Sequence, residues 1–66
     1  EDIMATRKAM VDKFMALADE YGWDKEQARR DAKKEFYDNL SDGTILELLR
    51  NGESIEDYVE YVSIYD

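Results

Sequence analysis

Sixty-six residues, 44% hydrophobic and without cysteine or histidine, allow one small folded unit with a thin core. They exclude a disulfide staple and the usual ligand sets of zinc and haem. A formal net charge of −8 disfavours nonspecific contact with phosphate backbones or anionic lipid and favours basic partners.

The order Glu1-Asp2-Ile3-Met4 leaves two readings of the beginning: Met4 as a natural start behind a remnant of residues 1–3, or a piece of something larger. The first predicted helix spans residues 2–21. At 100° per residue, Ile3, Met4, Met10, Val11, Phe14, Met15, Leu17, Ala18 and Tyr21 fall on one side, and Lys8, Asp12, Asp19 and Glu20 on the other. That arc is wide enough to touch two neighbours, and Gly22 suits a left-handed residue just past the end. The three methionines read as core filling; a pliable binding surface is the sharper alternative.

Trp23-Asp24-Lys25-Glu26-Gln27-Ala28 opens a second helix over residues 25–39. Asp24 is the predicted cap, Gln27 completes a capping box, and Trp23 staples onto Ala28. The staple is preferred over a ligand platform for this lone tryptophan. The buried stripe is Ala28, Ala32, Phe36 and Leu40, with small residues that let the helix lie close to the first. Arg29, Arg30, Lys33 and Lys34 form a basic cluster. Acids interleave with it and no aromatic platform accompanies it, so it reads as a solvated face with pairs such as Glu26–Arg30.

Asp38, Asp42, Gly43 and Ile45 match four places of an EF-hand calcium loop, but Leu40 and Leu49 occupy the third and twelfth ligand places. The expectation is a polar turn with Gly43 at positive φ, and no metal. Thr44 and Glu47 then form a capping box for a short helix over residues 45–50, with Ile45, Leu48 and Leu49 inward. Asn51-Gly52 ends it. Ser54 caps a last helix over residues 55–64, with Ile55, Tyr58, Val59 and Val62 buried and Glu56, Asp57 and Glu60 on the opposite side. The sequence thus predicts an all-α, four-helix bundle in one domain over residues 1–66.

The charge is unevenly spread. From Asp38 onward eight acids stand against one base, for −7, with three tyrosines among them; residues 1–37 hold nine acids and eight bases, for −1. Helix, glycine turn and Ser-capped helix is also the outline of a DNA-reading helix-turn-helix, but a recognition element, Ile55 to Asp66, with four acids and no base repels phosphate. Catalysis finds no His or Cys, no nucleophile motif and no phosphate loop, so an enzyme and a cofactor are not expected. No apolar run spans a bilayer, and a cytoplasmic protein is expected.

Protein recognition remains. Glu47, Glu53, Glu56, Asp57, Glu60, Tyr61 and Tyr65 are the predicted partner-binding residues, carboxylates that steer a basic surface and tyrosines that supply contact area. The expected function is a small regulator or inhibitor of a basic protein, one that binds nucleic acid included, by imitation of DNA charge. The alternative is an assembly module, pairing with a copy or a larger subunit through apolar surface of the first helix. The plainest account is that the acids are solvated surface.

Overall fold

The structure, a computed structural model, describes residues 2–65. Glu1, to which one reading of the beginning applies, and Asp66 of the acid count lie outside the described residues. Among the described residues there are four helices and no strand: α1 (Ile3–Tyr21), α2 (Lys25–Lys33), α3 (Asp42–Arg50) and α4 (Ile55–Glu60). α2 runs on into a π-helical turn, Lys34–Asp38, and α4 into another, Tyr61–Tyr65. The four-helix, all-α bundle read from the sequence is therefore the observed one. No helix among the described residues is long and apolar enough to cross a membrane.

α1 is the element on which the other three pack. Asp2 caps it, accepting from the Ala5 N–H. Gly22 closes it at φ 73°, its N–H donating to the Ala18 carbonyl, in the left-handed conformation that costs a glycine little. The end of the second helix and the start of α3 lie beside Arg7 of α1, and the start of α4 lies by Ala9 and Ala16 of α1. The resulting globule is 33 Å long and 19 Å across in both other directions.

The core joins Met10 and Leu17 of α1 to Ala32 and Phe36 of the second helix, Ile45 and Leu48 of α3, and Val59 of α4. Phe36, Met10, Ile45 and Val59 are the largest side chains wholly removed from water. At about 25 cal/mol per Å² of apolar area, such residues supply most of the favourable folding energy of so small a chain. The stripes read from periodicity are inward, whereas Met4 and Tyr21, at the two ends of the arc on α1, are 59% and 52% exposed.

Several local expectations change. α3 begins three residues before the predicted start because Ser41, not Thr44, is its cap: the Ser41 hydroxyl accepts from the Thr44 N–H at 3.2 Å. Gly43 consequently lies inside the helix, and the positive-φ glycines are Gly22 and Gly52. The stretch that matched a calcium loop is thus the end of one helix and the first turn of the next. Asp24 caps α2 through the N–H groups of Glu26 and Gln27, as expected. The Gln27 side chain, however, turns forward, donating to Asp31 and accepting from Arg30, so neither the capping box nor the Glu26–Arg30 pair forms. Trp23 packs its ring on Phe14 and Tyr21. At the α3–α4 turn, the Glu53 N–H reaches the Leu48 carbonyl and the Gly52 N–H that of Leu49, a paired closure that satisfies two otherwise orphaned acceptors.

Candidate functional site

Arg7 is the residue that reasoning from the sequence missed. It is 6% exposed, and its Nη1 donates to the carbonyl oxygens of Phe36 at 2.8 Å, Leu40 at 2.8 Å and, more weakly, Tyr37 at 3.4 Å. Its Nη2 donates to Asp42 Oδ1, and its Cζ lies 5.9 Å from the centre of the Tyr37 ring. The Phe36 and Tyr37 carbonyls belong to the π turn that closes the second helix and that of Leu40 lies two residues past it, where acceptors have no partner within the helix and the macrodipole favours a cation. Asp42 sits in the first turn of α3, where the dipole favours an anion. One guanidinium therefore caps one helix and anchors the start of another. Arg7 lies three residues before Met10 and seven before Phe14, in register with the buried stripe, and that placement was the available signal.

This contact ties up Asp42, which belongs to the acidic half of the chain. Among the described residues the only other ion pair joins Lys25 to Asp19 at 2.9 Å, so Glu47, Glu53, Glu56, Asp57 and Glu60 make none. With Asp38, six described carboxylates outside any ion pair thus share the stretch from residue 38 onward with Arg50 as the one base there.

The seven expected partner-binding residues divide between two sides of α4. On one side, Glu53 and Asp57 border a shallow groove of about 320 Å³ with Ser54, Tyr58 and Tyr61. Glu47 lies with Glu53 near Thr44 and Asn51, extending that side toward α3. Tyr61 and Tyr65 continue it, 61% and 74% exposed, with ring centres 6.2 Å apart. On the other side, Glu56 faces Ala9, Asp12, Lys13 and Ala16 of α1 across an open depression. Glu60 is half-buried rather than outward. Helical spacing alone put Glu56, Asp57 and Glu60 on one face; the packing of α4 along α1 separates them.

Glu60 lies toward the end of α1. There the Tyr21 phenol is held above its ordinary 10.0, first by loss of surrounding solvent, then by the charges of Glu20 and Glu60, the neighbouring Tyr65 phenol and a hydrogen bond to Glu20. Tyr21 stacks on Trp23 at 5.8 Å, Trp23 meets Phe14 at 5.5 Å, and Phe14 meets Phe36 edge-on at 5.9 Å. A chain of rings thus runs from the centre of the core to the surface beside α4.

Among the described residues no group of three or more carboxylates could hold a metal ion. What the surface offers is unpaired carboxylate beside exposed tyrosine, which suits contact with cations of another macromolecule. Comparison with models of protein families, with curated proteins and with solved structures returns no match.

Proposed function

We propose that this chain is a small acidic regulator or inhibitor that engages a basic protein surface through the side of α3 and α4 formed by Glu47, Glu53, Asp57, Tyr61 and Tyr65. The observation that carries this reading is that among the described residues these carboxylates have no cationic partner, while the strongly exposed Tyr61 lines the groove with Glu53 and Asp57 and the exposed Tyr65 lies next to Tyr61. A chain selected only for solubility gains from the acids but not from large exposed rings, which raise the risk of association. Tyrosine adds contact area at small entropic cost, and the unpaired acids supply steering and specificity. A protein that binds nucleic acid is the natural class of target, because its binding surface is already complementary to closely spaced negative charge.

Capture of binding proteins on the immobilised chain at low and high salt, followed by kinetics with the purified partner, tests this. The joint reversal Glu53→Lys and Asp57→Lys is expected to slow association in a salt-dependent manner while helicity stays intact. Tyr61→Ala is expected to speed dissociation with little change in salt dependence. Unchanged binding in both variants at low salt would refute the proposal. Retention of the same partner at low and high salt would favour the assembly reading, for which the exposed Met4 side chain on α1 is the supporting observation.

A further inference from the structure

We infer that the groove between α1 and the end of the second helix, lined by Lys8, Val11, Lys33, Tyr37 and Asp38, is a site for a small monocarboxylate that carries an apolar ring. The site shares no residue with the acidic side of α3 and α4, and the inference does not rest on the function proposed above.

The lining follows from helical spacing. Lys8 and Val11 stand three apart on α1, and Lys33 and Tyr37 four apart on the second helix, so each helix contributes one cation and one apolar body to the same groove. Val11 is half-buried and packs against the core. Tyr37 is 38% exposed yet anchored: the Arg7 guanidinium lies over its ring at 5.9 Å and donates to its carbonyl oxygen. Arg7 is itself buried and held by further bonds to Phe36, Leu40 and Asp42, so seating a ligand against this ring requires little further ordering. Tyr37 and Asp38 also belong to the π turn, a rare backbone geometry that recurs at functional sites.

The electrostatics of the groove run against those of the chain. In a protein of net charge −8, Lys8 and Lys33 reach one groove from two helices, and among the described residues neither is in an ion pair. Asp38 is the one carboxylate of the lining, so two ammonium groups less one carboxylate leave a local charge of +1. One carboxylate neutralises that charge. A dianion would meet the repulsion of Asp38 and of the chain as a whole.

Size decides between a small molecule and a partner chain. The groove measures about 340 Å³, at the lower end of the range of roughly 300–1,000 Å³ typical of small-molecule sites. It suits one or two rings rather than a partner helix about 10 Å across. The ring of the ligand would lie against Val11 and Tyr37, where apolar area is removed from water, with its carboxylate between the two lysines.

The test titrates the whole chain with 2-naphthoate while the methyl resonances of Val11 and the ring-proton resonances of Tyr37 report occupancy. Naphthoate is expected to shift both. The neutral 2-naphthamide is expected to bind about ten-fold more weakly, the effect of losing two exposed charge contacts. Acetate, which has the charge without the ring, is expected to leave both signals unchanged, and naphthalene-2,6-dicarboxylate to bind no tighter than naphthoate. Lys8→Met and Lys33→Met are each expected to weaken naphthoate binding about three-fold, and Asp38→Asn to strengthen it about two-fold. Lys34→Met, at a lysine outside the groove, is expected to leave binding unchanged, with circular dichroism confirming that each variant is folded. An equal loss in Lys34→Met would show diffuse attraction and overturn the site. Equal binding of naphthamide and naphthoate would do the same, as would the absence of any shift at Val11 and Tyr37 with naphthoate at about 10 mM.

Discussion

The two ends of this bundle solve the problem of a polar group near a small core in opposite ways. At the Arg7 end a charged side chain is drawn inside and surrounded by directed bonds, three to carbonyl oxygens and one to a carboxylate. At the Tyr21 end the aromatic side chains are pushed outward and the neighbouring carboxylates remain unpaired. The first arrangement is worth stability, because removing a buried cation strands its acceptors. The second adds little to stability and leaves interaction capacity unspent. In a chain of this length the division teaches that the directed polar bonds that hold the fold are gathered at one pole, and the exposed rings with carboxylates outside any ion pair at the other.

Phe36 belongs to both poles, with its carbonyl accepting from Arg7 and its ring ending the aromatic chain. Phe36→Ala should therefore have the largest effect, a loss of about 3–5 kcal/mol in urea unfolding. A domain of this size has on the order of 3–10 kcal/mol in total, so much of that variant should be unfolded at room temperature. Arg7→Leu comes next, at about 3 kcal/mol, because buried carbonyls lose their donor. Arg7→Lys should recover only part of this, since an ammonium lacks the fork that reaches two helices. If Arg7→Leu proves neutral, the contrast between the ends fails.

A smaller effect of opposite sign is expected near the open end. The Ser63 hydroxyl oxygen is buried without a hydrogen-bond partner among the described residues. Ser63→Ala should raise stability by about 1 kcal/mol, and a loss on calorimetry would reveal a partner. Tyr65→Ala should change stability by less than about 0.5 kcal/mol, as for other well-exposed sites.

The smallest effect sharpens the contrast by titration. Tyr21 ionises above 10.0 when folded, chiefly through loss of solvent and then through Glu20 and Glu60, so the unfolded chain gives up that proton first. Its contribution to stability is complete below about pH 10 and is lost as pH rises through the raised value of the folded state. Absorbance titration should show Tyr21 ionising late, and Glu20→Gln with Glu60→Gln should bring it earlier.

The helices were legible because their signals are local. Asp24 and Ser54 cap where expected, Gly22 ends α1, and the stripe through Ala28, Ala32 and Phe36 reads inward from spacing alone. Ser41 was misread because two hydroxyl residues three apart, Ser41 and Thr44, both resemble a cap, and only the packing of Ile45 and Leu48 selects between them. The π turns leave no mark in side-chain periodicity, since they are a change in backbone pairing such as the Asn39 N–H to Lys34 carbonyl bond at 2.9 Å. The separation of Glu56 from Asp57 follows from where α4 lies against α1, and a helical wheel cannot contain that. Arg7 was hidden by its own chemistry, because a lone charged residue in an apolar arc reads as surface until its partners are known.

Those partners lie 29 to 35 residues further along the chain. During synthesis α1 is complete long before any of them exists; the Phe36, Tyr37 and Leu40 carbonyls come first and Asp42, the charged partner, last. A nascent chain ending before residue 42 should therefore carry helix without a cooperative melt, and the transition should sharpen once the first turn of α3 is added. Through this one side chain the fixing of α1 depends on residues from the middle of the chain.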